Sequence, residues 1–135
     1  MRPLAAITLL LVVGCSEKAR PPVERLGDGV DVSRFTLTSL RGARAGDHLD
    51  AQVTFGDGSQ QLNAVLRFRV GVPTKLESGT WSGLPPGGAV RERSVTFLGG
   101  QSGPPSLGGR FDLLGPNGDP LYRITIPLRP LDRPI

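Results

Sequence analysis

Acid-base chemistry near neutrality needs a titratable group beside a proton donor, and the 135-residue chain has one histidine to offer, His48. Asp47 precedes it and Asp50 follows two positions on, so a carboxylate-oriented imidazole with a serine nucleophile is the hydrolytic arrangement these residue types permit. No Gly-x-Ser-x-Gly elbow accompanies it, and its place after Gly46-Asp47 reads as a solvated turn. Glu77, Glu92 and Asp112 supply carboxylates of the kind a glycosidase pairs, without an aromatic platform for a sugar ring. One histidine and one cysteine cannot assemble the usual transition-metal sets. Calcium takes oxygen ligands alone, which brings in Asp28, Asp31, Asp57, Asn117 and Asp119. None has the spacing of a twelve-residue calcium loop, and Asp or Asn beside Gly is what tight turns require. The expectation is a protein that is not an enzyme and carries no cofactor and no metal.

Binding chemistry has more to draw on. Fourteen arginines stand against two lysines, and Arg67, Arg69, Arg123 and Arg129 take the polar positions of strongly alternating segments. If those segments were neighbours, their guanidiniums would form a basic stripe suited to anionic headgroups, lipopolysaccharide phosphates or an acidic protein. Trp81, between Thr80 and Ser82 and ahead of a Gly/Pro loop, is either a core residue or a contact aromatic for a glycan or partner. Nucleic acid is disfavoured, since only 5% of residues are aromatic and a stacking platform needs several.

The start of the chain carries a different signal. Met1-Arg2-Pro3 gives one positive charge, and Leu4 to Val13 is an apolar run broken only by Thr8. It has the length of a signal-peptide core, well short of the about twenty residues that cross a bilayer. The run ends in Val12-Val13-Gly14-Cys15, which resembles the lipobox of bacterial lipoproteins. The resemblance implies diacylglyceryl transfer to the Cys15 thiol, cleavage between Gly14 and Cys15, and acylation of the new amino terminus. Two or three acyl chains, at about 0.8 kcal/mol per buried methylene, hold a protein stably where one would not. Ser16 in place of Asp after the lipidated cysteine implies sorting to an outer membrane, facing the periplasm. With Cys15 acylated the mature chain has no thiol, hence no disulfide and no thiolate nucleophile, and loss of Arg2 leaves fifteen basic against twelve acidic side chains.

These features need a scaffold, and composition raises a doubt about one: Gly and Pro occupy 32 of 135 positions. Their distribution answers it. Residues 16–29 are polar and aperiodic, so 15–29 reads as the lipidated cysteine and a tether, spanning roughly 20 Å as a flexible coil. Beyond it the pattern is period two. Leu49, Ala51, Val53 and Phe55 share one face, then Gly56-Asp57-Gly58-Ser59 turns the chain, then Leu62, Ala64, Leu66 and Phe68 share a face, predicting a hairpin. Phe111 and Leu113, the cluster from Gly115 to Pro120, and Tyr122, Ile124 and Ile126 predict a second. Two parity conflicts demand irregularities: Val30 and Val32 oppose Phe35 and Leu37, so a bulge or later strand start is needed near Ser33. Arg91 and Arg93 share parity with Val95 and Phe97, so the register breaks near Ser94 or the first half is no strand.

Seven strands at 31–40, 49–55, 61–72, 76–82, 89–98, 110–114 and 121–128, between Gly/Pro clusters, predict an all-β domain over 30–135. An antiparallel β-sandwich, immunoglobulin-like or transthyretin-like, is the expected form, with a small barrel as the alternative. The functional expectation is a lipid-anchored envelope protein of binding or accessory-subunit type. Its partners are membrane lipid at Cys15 and an envelope protein, with a glycan- or lipid-binding module as the alternative. Contact would come from exposed strand edges, from the loops at 83–88 and 99–109, and from Trp81, Arg67, Arg69 and Arg123.

Overall fold

A computed structural model describes residues 21–99 and 105–132. The signal segment 1–14, the Gly14-Cys15 cleavage site and most of the 99–105 loop lie outside the described residues. The chain forms eight antiparallel strands: β1 (Val23–Arg25), β2 (Thr36–Ala45), β3 (His48–Gly56), β4 (Gln61–Arg69), β5 (Lys75–Ser82), β6 (Gly88–Leu98), β7 (Ser106–Leu114) and β8 (Pro120–Pro130). Their hydrogen-bonded order is β1-β8-β7-β6-β5-β4-β3-β2. From β2 to β8 each strand therefore lies beside the next in sequence. This up-and-down meander lacks the Greek-key crossing of an immunoglobulin domain.

The local chemistry explains the turns. In the β3–β4 hairpin Phe55 registers with Leu62 and Gly56 with Gln61. Between them Asp57 Oδ1 accepts the N–H groups of Ser59 (2.9 Å) and Gln60 (2.8 Å), and Gly58 takes a φ of +95°. The hydrogen bonds from Gln60 and Ser59 hold the Asp57 carboxyl below the usual range. That carboxylate serves its turn. Asp31 likewise accepts the Ser33 N–H at 3.0 Å, and no cluster of acidic or imidazole ligands able to hold a metal occurs among the described residues.

Both parity conflicts resolve as irregularities. Residues 33–34 form a turn and β2 begins only at Thr36, while its register against β3 shifts between Leu37 and Ser39. In β6 the register against β7 shifts between Glu92 and Ser94, leaving Arg93 as the extra residue of a bulge.

Inward side chains meet across two half-sheets, β1-β8-β7-β6 and β5-β4-β3-β2. The halves join through two register pairs only, Thr80 with Ala89 and Trp81 with Gly88. Where β5 and β6 part, the Glu92 carboxylate accepts the Leu76 N–H at 2.7 Å, so a side chain replaces the missing ladder. Two edge-to-face aromatic pairs tie the halves through the core: Phe68 with Phe111 at 5.9 Å and Trp81 with Tyr122 at 5.6 Å. On the far side the sheet comes nearly round to itself. Asp132 N donates to Leu40 O at 2.8 Å, and Leu131 is buried beside Gly42 of β2. The edge of β2 is thus partly covered.

The segment read as a tether is not free along its whole length. Val23, Glu24 and Arg25 pair with Ile124, Arg123 and Tyr122, and Val23 is buried. Leu26 N donates to Leu121 O (2.8 Å), and Val30 N donates to the Tyr122 hydroxyl (2.9 Å). A Cβ on Gly29 would collide with that hydroxyl, so only glycine lets the chain pass there. Three residues behind Pro21-Pro22 are too few to show a period, which is why β1 left no mark in the pattern.

Candidate functional site

Alternation along β6, β7 and β8 places Phe111, Leu113, Tyr122 and Ile124 inward, so Asp112 and Arg123 point outward. Register then lines up Arg91, Asp112, Arg123 and Glu24 across β6, β7, β8 and β1. The bulge turns Arg93 to the same face. Asp112 sits at the centre with its side chain 1% exposed. Arg123 Nε donates to its Oδ1 at 2.7 Å, Arg91 Nη2 donates to its Oδ2 at 3.1 Å, and Arg93 Nη1 lies 3.9 Å from Oδ2. Burial pushes the Asp112 carboxyl up. The hydrogen bonds from Arg123 and Arg91, with the charges of Arg123 and Arg93, outweigh it and hold the group below the ordinary carboxylate range. The same bond raises Arg123.

Arg110 belongs to this face as well, one register step from Asp112 and opposite Thr125. Its Nε is buried without a hydrogen-bond partner, and so is Thr125 Oγ1. Four guanidiniums thus share the face with two carboxylates, one of them covered. Guanidiniums are the side chains that pair with oxyanions through parallel N–H groups.

The opposite half-sheet holds the second charged cluster. His48 Nδ1 lies 3.1 Å from Asp47 Oδ1, and its Nε2 lies 3.0 Å from Glu77 Oε1. Arg69 closes the ring through Asp47 (3.0 Å) and Glu77 (3.0 Å), and Arg67 lies 3.5 Å from Asp50. Both imidazole nitrogens meet carboxylates, and no serine hydroxyl bonds either among the described residues. Three carboxylates stand among two guanidiniums and the imidazole here, so the patch has no excess of positive charge.

The expected stripe does not form. Arg67 and Arg69 lie on β4 while Arg123 and Arg129 lie on β8, with β5, β6 and β7 between them, and Arg129 pairs with Asp132 at 3.5 Å. Trp81 is 3% exposed. Its Nε1 donates to Leu114 O at 2.9 Å and its ring packs on Tyr122, so neither ring face is open for stacking a sugar. Glu77, Glu92 and Asp112 serve three separate structural contacts and make no catalytic pair. Within the loops expected to make contact, Gly88 opens β6 and residues 106–109 belong to β7.

The site that sequence reasoning missed is the Arg91-Arg93-Arg110-Asp112-Arg123 set. Its trace was the parity conflict at Arg91 and Arg93. A bulge makes both outward-facing, but only the strand order reveals that Asp112 waits beside them. No family model, curated protein or solved structure matched the chain.

Proposed function

We propose that the protein is a lipid-anchored component of the cell envelope that acts by binding, as an accessory subunit presented on its β-domain to an envelope partner. The observation that carries this reading is Val12-Val13-Gly14-Cys15 at the end of an apolar run of signal-peptide length. The polar chemistry of the domain agrees with it. Among the described residues, Asp112, Asp57 and Glu77 are engaged in ion pairs and turn bonds, and the one histidine is held between two carboxylates. With Trp81 buried, the binding surface is the arginine face and not an aromatic platform. At the level of fold, the reading is of two half-sheets packed as layers and nearly closed into a flattened barrel. Ser16 supports placement at an outer membrane, facing the periplasm.

The test is fractionation of cells expressing the wild-type chain or Cys15→Ala. The wild type is expected in the membrane fraction carrying metabolically incorporated fatty acid, and the variant is expected to lose the label and leave the membrane. A variant that remains membrane-bound, or a wild type without label, would overturn the anchor. Crosslinked membranes that repeatedly yield no envelope protein with the wild type would overturn the accessory role.

A further inference from the structure

We propose that the outer face of β6, β7 and β8 seats on the phosphate groups of the anionic membrane surface that holds the anchor, with Arg110 and Thr125 reaching for a phosphate oxygen and Arg91 and Arg93 flanking it. The inference rests on the lipid-anchor reading.

Three independent observations lead to it. The first is charge: Asp112 is saturated from within by Arg123 and Arg91, so its negative charge is covered, while Arg91 and Arg93 are 49% and 51% exposed. Outside the face the excess is therefore positive. Arginine meets a phosphate through two parallel N–H groups, where lysine offers a single point charge.

The second is unmet bonding. Arg110 Nε and Thr125 Oγ1 are register neighbours, both buried and both without a partner. Buried polar atoms are nearly always satisfied. Among the described residues no carboxylate pairs with Arg110, since the neighbouring Asp112 is taken by Arg123 and Arg91, and a hydroxyl donor stands opposite. An acceptor oxygen of an anion answers both at once, after a small swing of the guanidinium.

The third is the route of the chain. Pro22 O accepts the Thr125 N–H at 2.8 Å, so the backbone leading back to Cys15 joins the domain at the β1 edge of the sheet that carries this face. Cys15 is seven residues before Pro22, and seven residues span at most about 25 Å. An anchor so close to the β1 edge keeps the β6-β7-β8 face within reach of the headgroups. The His48 face, with Asp47, Asp50 and Glu77 set among its arginines, has no comparable attraction and points away.

The mature chain has no cysteine besides Cys15, which makes the test direct. The full protein is purified from membranes with an environment-sensitive dye at Ser94→Cys on the arginine face, or at Val65→Cys on the opposite face. It is then reconstituted by its own anchor into vesicles of phosphatidylcholine alone or with about a third phosphatidylglycerol. The dye at 94 is expected to be shielded from a neutral aqueous quencher in the anionic vesicles only, and to be released by half-molar salt. The dye at 65 stays accessible in both. Arg93→Ala and Arg110→Ala each weaken the seated population about fivefold, the worth of one basic residue near such a surface. Both leave the Asp112–Arg123 bond in place.

Equal quenching at 94 in the two vesicle types, or equal shielding at 94 and 65, overturns the proposal. So does shielding by a soluble acidic polypeptide with none from vesicles. Failure of the anchor reading looks different: Cys15 itself takes up the dye and the protein does not reconstitute, while added anionic vesicles still shield position 94 if the face is as described.

Discussion

Replacing Asp112 by asparagine keeps the size of the side chain and removes the charge that Arg91, Arg93 and Arg123 surround. The carboxylate is covered, and its 2.7 Å bond from Arg123 is as short as charge-assisted bonds run. Deleting one member of a buried ion pair costs about 3 to 5 kcal/mol, chiefly because the partner is left uncompensated. Here two of the three guanidiniums are half exposed and keep much of their hydration, so the low end applies, about 3 kcal/mol. In a domain of this size that lowers the melting temperature by about 10 °C or more. Denaturant titration should show a lower midpoint at unchanged slope, because the surface exposed on unfolding is the same. Arg93→Ala is the internal control: at 3.9 Å and half exposed it should cost under about 1 kcal/mol.

The pH dependence fixes the sign. The folded carboxyl titrates below its unfolded value of about 3.9, so its contribution is complete above that value and is lost as pH falls through the lower folded one. The wild type and Asp112→Asn should therefore differ most near neutrality and converge from about pH 4 downward. A loss under about 1 kcal/mol at neutral pH, or a difference that persists undiminished in acid, would refute the reasoning. The first result would place Asp112 among ordinary surface pairs. The second would assign the loss to shape and not to charge.

Three further outcomes follow from the geometry. Trp81 should emit at short wavelength, resist quenching by acrylamide and ignore added glycans, and Trp81→Ala should cost about 3 to 5 kcal/mol; emission typical of solvent-exposed indole would contradict its burial. Gly83→Ala puts a Cβ against Gln61 O at a φ of +99°, whereas Gly118→Ala at a φ of +86° meets open space, so thermal melts should show a clearly larger loss for the first. Glu92→Ala removes the acceptor of the Leu76 N–H, and hydrogen exchange at that amide should accelerate while the Phe55 amide in β3 stays protected.

The sequence disclosed those parts of the fold in which one strand carries its own period. β3 and β4 each alternate over four inward residues, and the Asp57-Gly58 turn between them is written in residue types. β7 and β8 are legible for the same reason. The conflict at Arg91 and Arg93 even disclosed a bulge without its purpose. What stayed hidden depends on which strands meet. A basic stripe from Arg67 to Arg123 presumes adjacent strands, and three strands separate them. Asp112 reads as a polar residue between Phe111 and Leu113, and nothing local tells that Arg91 and Arg123 arrive from either side to bury it. β1 is too short for any period, and its pairing with β8 spans nearly the whole domain.

That long pairing has a kinetic meaning. From β2 to β8 every strand pairs with its sequence neighbour, so the sheet can build hairpin by hairpin, each step closing a shorter loop than a Greek-key crossing would. The exceptions are β1 on β8 and Asp132 on Leu40, each joining residues about a hundred or ninety positions apart. Hairpins can assemble in order as the chain lengthens, but these two closures wait for residues 120–132. As the chain lengthens, then, the arginine face and β1 come together last, and a chain halted before β8 would have its hairpins without its closure.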